Sequence, residues 1–501
     1  MKVIKVNILL WICLLSLILG ACEDFLESRD KGQVLEEKLF VNQEGVEEAM
    51  YGLYYTLGTT DLWGAHLPVV MDCLAQYFTL GNYSSENAGG FEELMLHNHD
   101  SERSTTLFGV FWTMGYKLIS DINKVLENLD NWKYKPLKHM NLYRGECLGL
   151  RAFMHFELLR MYGSCNLDNR GIPYVTNYGM WVSPFSKTGD CYDKILADLK
   201  EAHTLLAEDE NLLTYPRAEV NAYDQYSSYR EVHMNLYAVK ALLARVFLTR
   251  NQVNDLDSAA TYARQIVESK KFPLPQGNEI SPEHFIRMMS GTVAENEAVF
   301  GVYKSDTYSA LLNLFLLETG SFLPADEKMY EVLESEKGVD FRSNWIRVPL
   351  AASQQISDKL GIRLMKLINA TAFNSANREQ SPIGYSGLNL IRIPELYLML
   401  AEILLEKEPE EALRYYNDFI YSRGFNRVEN VTKKDIDHQF WREYIQEGQY
   451  WFRLKRFQVS EITVEPALAA VKGVKTIKMD ESKWNLPIPD SEFEFREEGS
   501  Y

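Results

Sequence analysis

The chain has 501 residues, of which 46% are hydrophobic and 24% are charged, and its formal net charge is -18. This composition is ordinary for a globular protein, and the length allows a large core. The acidic balance excludes a nucleic-acid-binding protein, because such a body is repelled by phosphate backbones and by anionic membrane surfaces.

The N-terminus carries an export signal that ends at a cysteine. Two lysines precede an apolar run at positions 8–19, and a pair of small residues then precedes Cys22. The run is too short to span a membrane comfortably. This order resembles the bacterial lipoprotein box, which implies a cleaved signal peptide at residues 1–21 and an acylated Cys22. The alternative is an ordinary signal peptide with an incidental cysteine. We expect residues 22–501 to form a single domain, tethered by its acyl chains.

Helical periodicity dominates the rest of the chain. Apolar residues recur at steps of three or four, as in Leu148, Ala152 and Phe156, which predicts amphipathic helices. Gly163 is expected to cap the first of these helices, and Asp257 is expected to be the N-cap of another. The predicted helices span Tyr143–Gly163, Ser183–Leu206, Val232–Thr249, Asp257–Ser269, Pro394–Glu406 and Pro409–Arg423.

Helix pairs of this length, with alanines at their crossings, are typical of tetratricopeptide-like arrays. We therefore predict a mainly α protein with a tetratricopeptide-like right-handed α-superhelix. Two stretches depart from the helical pattern, at residues 58–110 and at residues 272–390, and the second is expected to be an irregular, loop-rich insertion. Within that insertion, Ala298–Tyr303 and Phe341–Val348 are β-prone.

An ordered set of short motifs runs across residues 22–501 and resembles the SusD/RagB-like family of outer-membrane nutrient-binding lipoproteins. Each motif alone is weak, whereas the set together with the lipoprotein box is specific. The matching residues include Phe40, Gly52-Leu53-Tyr54, Trp112, Tyr116, Arg151-Ala152-Phe153, Tyr162-Gly163, Ile172-Pro173, Ala241–Arg245, Ile391–Tyr397, Arg442-Glu443, Glu447-Gly448 and Leu486–Pro489.

The resemblance implies a non-enzymatic, cell-surface lipoprotein that caps a SusC-type TonB-dependent transporter. Such a protein would capture an oligosaccharide, or in some relatives a peptide, and deliver it to the transporter barrel. Glu23-Asp24, directly after the anchored cysteine, is similar to the signal that sends these lipoproteins to the outer face. The shared motifs belong to the scaffold, so the resemblance assigns no ligand-contacting residue in this chain.

A sugar site needs flat apolar platforms and fixed polar groups, which tyrosine and tryptophan combine. Irregular loops on a rigid scaffold are where binding surfaces usually lie. Burial in the core is the alternative for each aromatic residue, and Trp112, Trp441 and Trp451 are assigned to helix packing. The ligand-binding candidates are Trp63, Tyr77, Asn82 and Tyr83 in the first irregular stretch, and Tyr303, Tyr308, Phe322 and Trp345 in the second.

Two further clusters carry residue types that occur in chemical sites. His97, His99 and Asp100 could hold a metal, but a solvated loop is the preferred interpretation. Glu443 and Glu447 lie one helical turn apart, and the alternative interpretation is the acid/base pair of a lipid-anchored glycoside hydrolase. Ion pairing with Arg442, Arg453 and Arg456 is the simpler interpretation. The sequence contains no nucleotide-binding loop, nucleophile elbow or zinc-protease motif, so no cofactor, metal or catalytic residue is predicted.

Four cysteines remain after the signal and Cys22 are set aside: Cys73, Cys147, Cys165 and Cys191. An exported protein could oxidise them to disulfides. Buried free thiols are the preferred interpretation, because unpaired cysteine is among the most buried residue types. The sequence leaves both states open.

Overall fold

A computed structural model gives the fold of the chain. The described residues are 36–80, 90–180, 182–281, 284, 296–304, 315, 322–325, 329, 338–346, 364, 366–367, 387–494 and 496. Two compact units are distinguished, Met1–Ala49 and Met50–Tyr501. The predicted signal peptide and Cys22 lie outside the described residues, as do Asn82, Tyr83 and Tyr308.

The described part of the chain is mainly helical, which confirms the predicted class. The principal helices are α1 (Glu36–Leu39), α2 (Gln43–Leu57), α3 (His66–Leu74), α4 (Phe91–Met95), α5 (Glu102–Asp130), α6 (Met140–Tyr162), α7 (Thr188–Leu205), α8 (Asp209–Leu212), α9 (Leu236–Arg250), α10 (Asp255–Glu268), α11 (Ile393–Leu404), α12 (Pro409–Tyr421), α13 (Lys433–Glu443), α14 (Tyr450–Phe457), α15 (Pro466–Lys472) and α16 (Glu481–Trp484). The strands are β1 (Phe78–Leu80), β2 (Arg170–Pro173), β3 (Phe185–Lys187), β4 (Ala298–Tyr303), β5 (Phe322–Pro324), β6 (Gly387–Arg392), β7 (Glu461–Thr463) and β8 (Thr476–Lys478).

Consecutive long helices pack against each other, α6 on α7, α9 on α10 and α11 on α12. The pairs are held together by apolar stripes. In α9 the small residues Ala238, Ala241 and Ala244 are buried, which lets neighbouring helices approach closely. This pairing of sequence neighbours is the arrangement that tetratricopeptide-like arrays use.

Capping residues define the helix ends, and two of the predicted caps differ in the structure. Asn235 caps α9 by accepting hydrogen bonds from the backbone N–H groups of Tyr237 and Ala238. The predicted cap at Asp257 is wrong, because α10 already begins at Asp255, with Asn254 before it. Gly163 follows α6 as predicted, but in an extended conformation instead of the left-handed one. Glycine suits that position because a Cβ there would lie 2.8 Å from the Leu159 carbonyl oxygen.

The strands form small antiparallel ribbons, in the pairings β1–β5, β2–β3, β4–β6 and β7–β8. The β4–β6 ribbon joins the start of the inserted region to its end, with Tyr303 opposite Gly387 and Ala298 opposite Arg392. β6 runs directly into α11, so the ribbon connects the described part of the insertion to the helical array.

Both irregular stretches contain more helix than the sequence indicated. Residues 58–110 hold a π-helical turn at Thr60–Gly64, both α3 and α4, and the start of α5. The apolar run of α3 is too short to show a helical period, which explains the error. In the insertion, Ala298–Tyr303 is the predicted strand, whereas Phe341–Trp345 forms a 3-10 helix instead of a strand.

Within the part of the chain that the structure describes, every helix is too short or too polar to traverse a bilayer.

Candidate functional site

The two stretches that carry the predicted aromatic residues meet in space. β1, from the first stretch, pairs antiparallel with β5, from the insertion, and Leu80 lies opposite Phe322. Tyr77 directly precedes β1, and the carbonyl oxygen of Tyr77 accepts a hydrogen bond from the backbone N–H of Ala325 at 2.8 Å. Residues more than 200 positions apart therefore contribute to one region, as a composite binding surface would require.

Trp63 forms part of the base of this region. It lies in the π-helical turn, is 4% exposed, and its ring centroid is 5.0 Å from that of Phe153 in α6. A small cavity beside Trp63 is also lined by Phe315 and Leu388 from the insertion. Because the faces of the indole contact the protein's own side chains, Trp63 is not an exposed platform in this structure.

Tyr77 and Trp345 are also buried, at 2% and 1% exposure. The ring of Tyr77 stacks in parallel on Trp441, with centroids 6.0 Å apart, and its hydroxyl donates to the Trp441 carbonyl at 2.6 Å. The ammonium of Lys366 lies 4.6 Å from the Trp345 ring. Both rings therefore contact the protein's own side chains, which is the packing role that the sequence leaves open for each aromatic candidate.

Tyr303 is exposed, in contrast, with 66% of its surface accessible. It ends β4, where neighbouring side chains alternate between the two faces of the ribbon. A Cβ at Gly58 would contact Val302 and Lys304, so these two residues face Gly58 and Tyr303 points away. Phe322 is the first residue of β5, and its backbone lies opposite Leu80. Ligand contact by any of the candidates stays a prediction, and Tyr303 is the best placed of those with a described side chain.

Tyr55, near the end of α2, is a further exposed aromatic residue, which the sequence motifs did not indicate. Tyr55 is 61% exposed, and the Lys304 ammonium lies 3.8 Å from its ring centroid, in a cation–π contact. Tyr51, one turn earlier, is also exposed. The spacing of two tyrosines on the polar face of a helix could have drawn attention to this surface.

A buried ionic network joins the insertion to the helices behind these aromatic residues. Glu443, at the end of α13, accepts hydrogen bonds from Arg392 at 2.7 Å, Arg423 at 2.9 Å and Arg342 at 3.1 Å. Burial alone would raise the pKa of Glu443, but the guanidinium groups hold it well below its usual range. Glu447 accepts from Arg392 at 2.5 Å and 3.0 Å and contacts Lys366.

The two glutamates form ion pairs, as predicted, but their partners differ from the arginines that the sequence indicated. The sequence pointed to Arg442, Arg453 and Arg456 as partners of the two glutamates. In the structure Arg453 and Arg456 instead pair with Glu402, at 2.5 Å and 2.6 Å. The acid/base pair of a hydrolase requires one carboxyl group that can carry a proton, and a carboxylate held by three arginines is poorly suited to that role.

His97 and His99 are buried, so the predicted solvated loop is wrong. The Nε2 atom of His97 lies 2.9 Å from the Leu74 carbonyl oxygen, to which it can donate. Burial lowers the pKa of His97 to about 3 and that of His99 to about 4, so both rings are neutral. Among the described residues, no group of three or more His, Cys, Asp or Glu side chains is placed to hold a metal ion.

The four cysteines are free thiols in the structure. Cys73, Cys147 and Cys191 are buried, as the preferred interpretation has it, whereas Cys165 is exposed. Cys165 lies in the turn after α6, where the chain leaves the helix core.

Comparison with known proteins shows which family the chain resembles. Residues 24–248 match a SusD-like family described as starch-binding and associating with the outer membrane. A SusD superfamily protein from Bacteroides thetaiotaomicron superposes with a TM-score of 0.69 at 18% identity, over 90% of this chain and 98% of that one. The predicted resemblance to SusD-like proteins is confirmed. The superposition also supports the tetratricopeptide-like helical class of this chain.

Further SusD-like proteins are similar to this chain in sequence or in fold. SusD-like protein P2 of Formosa agariphila is 23% identical over 258 residues, which cover 51% of this chain and 45% of that protein. The chain thus spans about half the length of the curated relatives that it matches. Surface glycan-binding protein A of Bacteroides thetaiotaomicron superposes with a TM-score of 0.66 at 18% identity, over 91% of this chain and 97% of that one.

Proposed function

We propose that this SusD-like chain is a non-enzymatic, lipid-anchored nutrient-binding protein on the extracellular side of the outer membrane. It captures an oligosaccharide and delivers it to a SusC-type TonB-dependent transporter. The observation that carries this proposal is the SusD-like fold, shared over nine tenths of the chain with a surface glycan-binding protein. The family's description as starch-binding and outer-membrane-associated supports the same function.

The arrangement of the aromatic residues supports capture at the meeting point of the two irregular stretches. Trp63, Tyr77 and Trp345 are buried, whereas Tyr303 presents an exposed ring at the end of β4. Asn82 and Tyr83 follow β1 within three residues, which places them in the same part of the sequence. In this proposal Tyr303 stacks on a sugar ring, and hydroxyl groups of the ligand bind polar side chains nearby.

Isothermal calorimetry against matched panels of oligosaccharides and peptides tests the ligand class. We expect heat of binding with at least one glycan, and Tyr303→Ala is expected to weaken that binding. Tyr223→Ala, which removes a fully exposed tyrosine outside both irregular stretches, serves as the matched control and should bind the glycan as the wild type does. Binding of peptides alone would identify a peptide-capturing relative instead.

An assay for new reducing ends separates the binder from a hydrolase. The ionic network around Glu443 supports the expectation that purified protein leaves its glycan intact during long incubation. Turnover that persists in the wild type and disappears in Glu447→Gln would identify a glycoside hydrolase.

Two further experiments test the transporter. Co-purification of the transporter with the tagged lipoprotein tests the partnership, and loss of glycan uptake on deletion of either gene tests delivery.

A further inference from the structure

Exposed aromatic side chains also occur on α2, outside both irregular stretches. Tyr51 and Tyr55 lie one turn apart on this helix, and both are exposed. The Cβ atoms of helical residues four positions apart are about 5–6 Å from each other, so the two side chains are neighbours. Tyr229, in the loop that precedes α9, is also exposed. We call Tyr51, Gly52, Tyr55 and Tyr229 the tyrosine platform.

Buried groups hold the two rings of α2 in place. The ring centroid of Tyr51 lies 5.8 Å from that of Tyr226 and 6.3 Å from that of His233. The ammonium of Lys304, a buried lysine, lies 3.8 Å from the ring centroid of Tyr55. Side chains that are fixed before a ligand arrives lose little conformational entropy when they bind it.

The loop that carries Tyr229 is joined to α2 through one buried carboxylate. Glu146 in α6 accepts hydrogen bonds from the Tyr226 hydroxyl at 2.7 Å and from the Arg230 guanidinium at 2.6 Å. Tyr54, on the buried side of α2, donates to the same carboxylate at 2.5 Å. Because residues before and after Tyr229 are held in this way, the loop and the helix form a single surface.

Gly52 leaves an open space beside the two rings of α2. It is exposed, and a Cβ at this position would meet no described atom within 4 Å. In α6, by contrast, a Cβ at Gly149 would lie 2.5 Å from the side chain of Met234, so packing requires that glycine. Glycine weakens the interior of a helix relative to alanine, and the packing of the chain does not require it at position 52. A bare, exposed backbone allows a ligand to approach the helix closely.

We infer that the tyrosine platform binds a neutral pyranose unit of a glycan, at a site separate from Tyr303; this inference rests on the proposed glycan-binding function. A pyranose ring has apolar C–H faces and a rim of hydroxyl groups, and tyrosine combines a flat apolar ring with a polar hydroxyl. On α2 and in residues 226–233, all of them described, each large hydrophobic side chain that is exposed is a tyrosine.

The geometry of β4 separates the two surfaces. Lys304, which contacts Tyr55, faces Gly58, whereas Tyr303 points to the other side of the ribbon. The tyrosine hydroxyls are uncharged, and the Lys304 ammonium already contacts an aromatic ring. An ionic ligand therefore has no advantage over a neutral one at the platform.

Hydroxyl-radical footprinting locates a bound sugar directly, because a covered tyrosine ring is oxidised more slowly. The full-length protein is oxidised with and without maltotriose, cellotriose or xylotriose, and peptide mass mapping compares each tyrosine with Tyr421 of α12 as the reference. At a sugar concentration about ten times the dissociation constant, about nine tenths of the sites are filled, and oxidation of Tyr51 and Tyr55 should fall about twofold or more. Unchanged oxidation of both tyrosines with every sugar would overturn the inference.

Gly52→Leu tests the open space. Leucine is a strong helix former, so the variant should melt no earlier than the wild type. Its side chain fills the gap, so protection of Tyr51 and Tyr55 should require about tenfold more sugar. Thr106→Leu, at an exposed position of α5, is the matched control and should leave the protection unchanged. Protection in Gly52→Leu at the wild-type sugar concentration would also contradict the inference.

Tyr303 distinguishes this inference from the proposed function. Protection of Tyr303 without protection of Tyr51 and Tyr55 would refute the platform and leave the proposed function intact. Protection of none of the three, with no heat of binding, would count against both. Tyr303→Ala should leave the protection of Tyr51 and Tyr55 unchanged, and its loss would refute a separate site. Stronger protection by trigalacturonic acid would refute a neutral ligand.

Discussion

His155 is fully buried in α6, and its two ring nitrogens have different hydrogen-bond roles. Nδ1 donates to the Arg151 carbonyl at 2.9 Å, and Nε2 accepts from the backbone N–H of Val175 at 2.9 Å. The ring also stacks on Tyr174, with centroids 3.9 Å apart. Burial lowers the pKa of His155 to about 3, so the imidazole stays neutral in the folded protein. A proton on Nε2 would prevent this atom from accepting the hydrogen bond of the Val175 backbone N–H.

His155 should therefore make the fold sensitive to acid. Below its ordinary pKa of 6.5 the unfolded chain binds a proton that the folded chain does not. This contribution to stability is present above pH 6.5 and is lost as the pH falls towards 3, by about 1.4 kcal/mol per pH unit for one such group. Urea unfolding at about pH 7.5 and about pH 5 should show a smaller pH dependence for His155→Gln than for the wild type, by about 2 kcal/mol. Equal pH dependences would contradict the assignment.

Trp63 and Tyr303 should respond differently to truncation, because one is buried and the other is exposed. Trp63→Ala leaves a cavity against Phe153 and should destabilise the protein by about 3–5 kcal/mol. Tyr303→Ala should change stability by less than about 0.5 kcal/mol and weaken glycan binding about tenfold, or about 1.4 kcal/mol. Thermal melting and calorimetry on both variants measure the two effects. An early-melting Tyr303→Ala that binds normally would assign the tyrosine to packing.

At the scale of elements, α12, α13 and β6 are held together by the carboxylate of Glu443. Its oxygens accept hydrogen bonds from Arg423, two residues after α12, and from Arg392, the last residue of β6. Removing one member of a buried charge network leaves its partners uncompensated in a medium that solvates them poorly. The network therefore determines how firmly the insertion and the last helix pairs are joined.

Glu443→Gln should accordingly lower the free energy of unfolding by about 3–5 kcal/mol. The matched control is Glu411→Gln, which breaks an exposed pair with Arg414 and should cost less than about 1 kcal/mol. Denaturant titration of the three proteins gives the comparison. Similar small losses in both variants would mean that the buried network contributes specificity instead of stability.

The elements that the sequence predicted are those specified by local pattern. The helix predicted from Pro409 begins there in the structure, because a proline at the first position and a periodic apolar stripe are both local signals. The Arg342–Glu443 pair joins residues 101 positions apart, and no local pattern encodes it. The exposure of Tyr303 and the burial of Trp63 likewise depend on tertiary packing, which aromatic composition alone does not reveal.

At the scale of the whole molecule, anchoring and binding are expected to be separable. The helical body buries its own core, and in the described residues no helix can cross a membrane. In the proposed function, membrane attachment depends on the acyl chains of Cys22, which lies outside the described residues. Several chains give durable anchoring, whereas a single chain binds reversibly.

Cys22→Ser should release the protein from the membrane fraction without changing its affinity for glycan. Metabolic labelling with palmitate should mark the wild type and leave the variant unlabelled, and calorimetry should give the same dissociation constant for both. Uptake of the glycan by cells should fall, because the anchor raises the local concentration of the binding protein at its transporter. Cys165→Ser is the control, since it removes an exposed thiol from the folded body and should retain both anchor and uptake. Palmitate on the Cys22→Ser protein, or unchanged membrane retention, would refute the lipoprotein assignment.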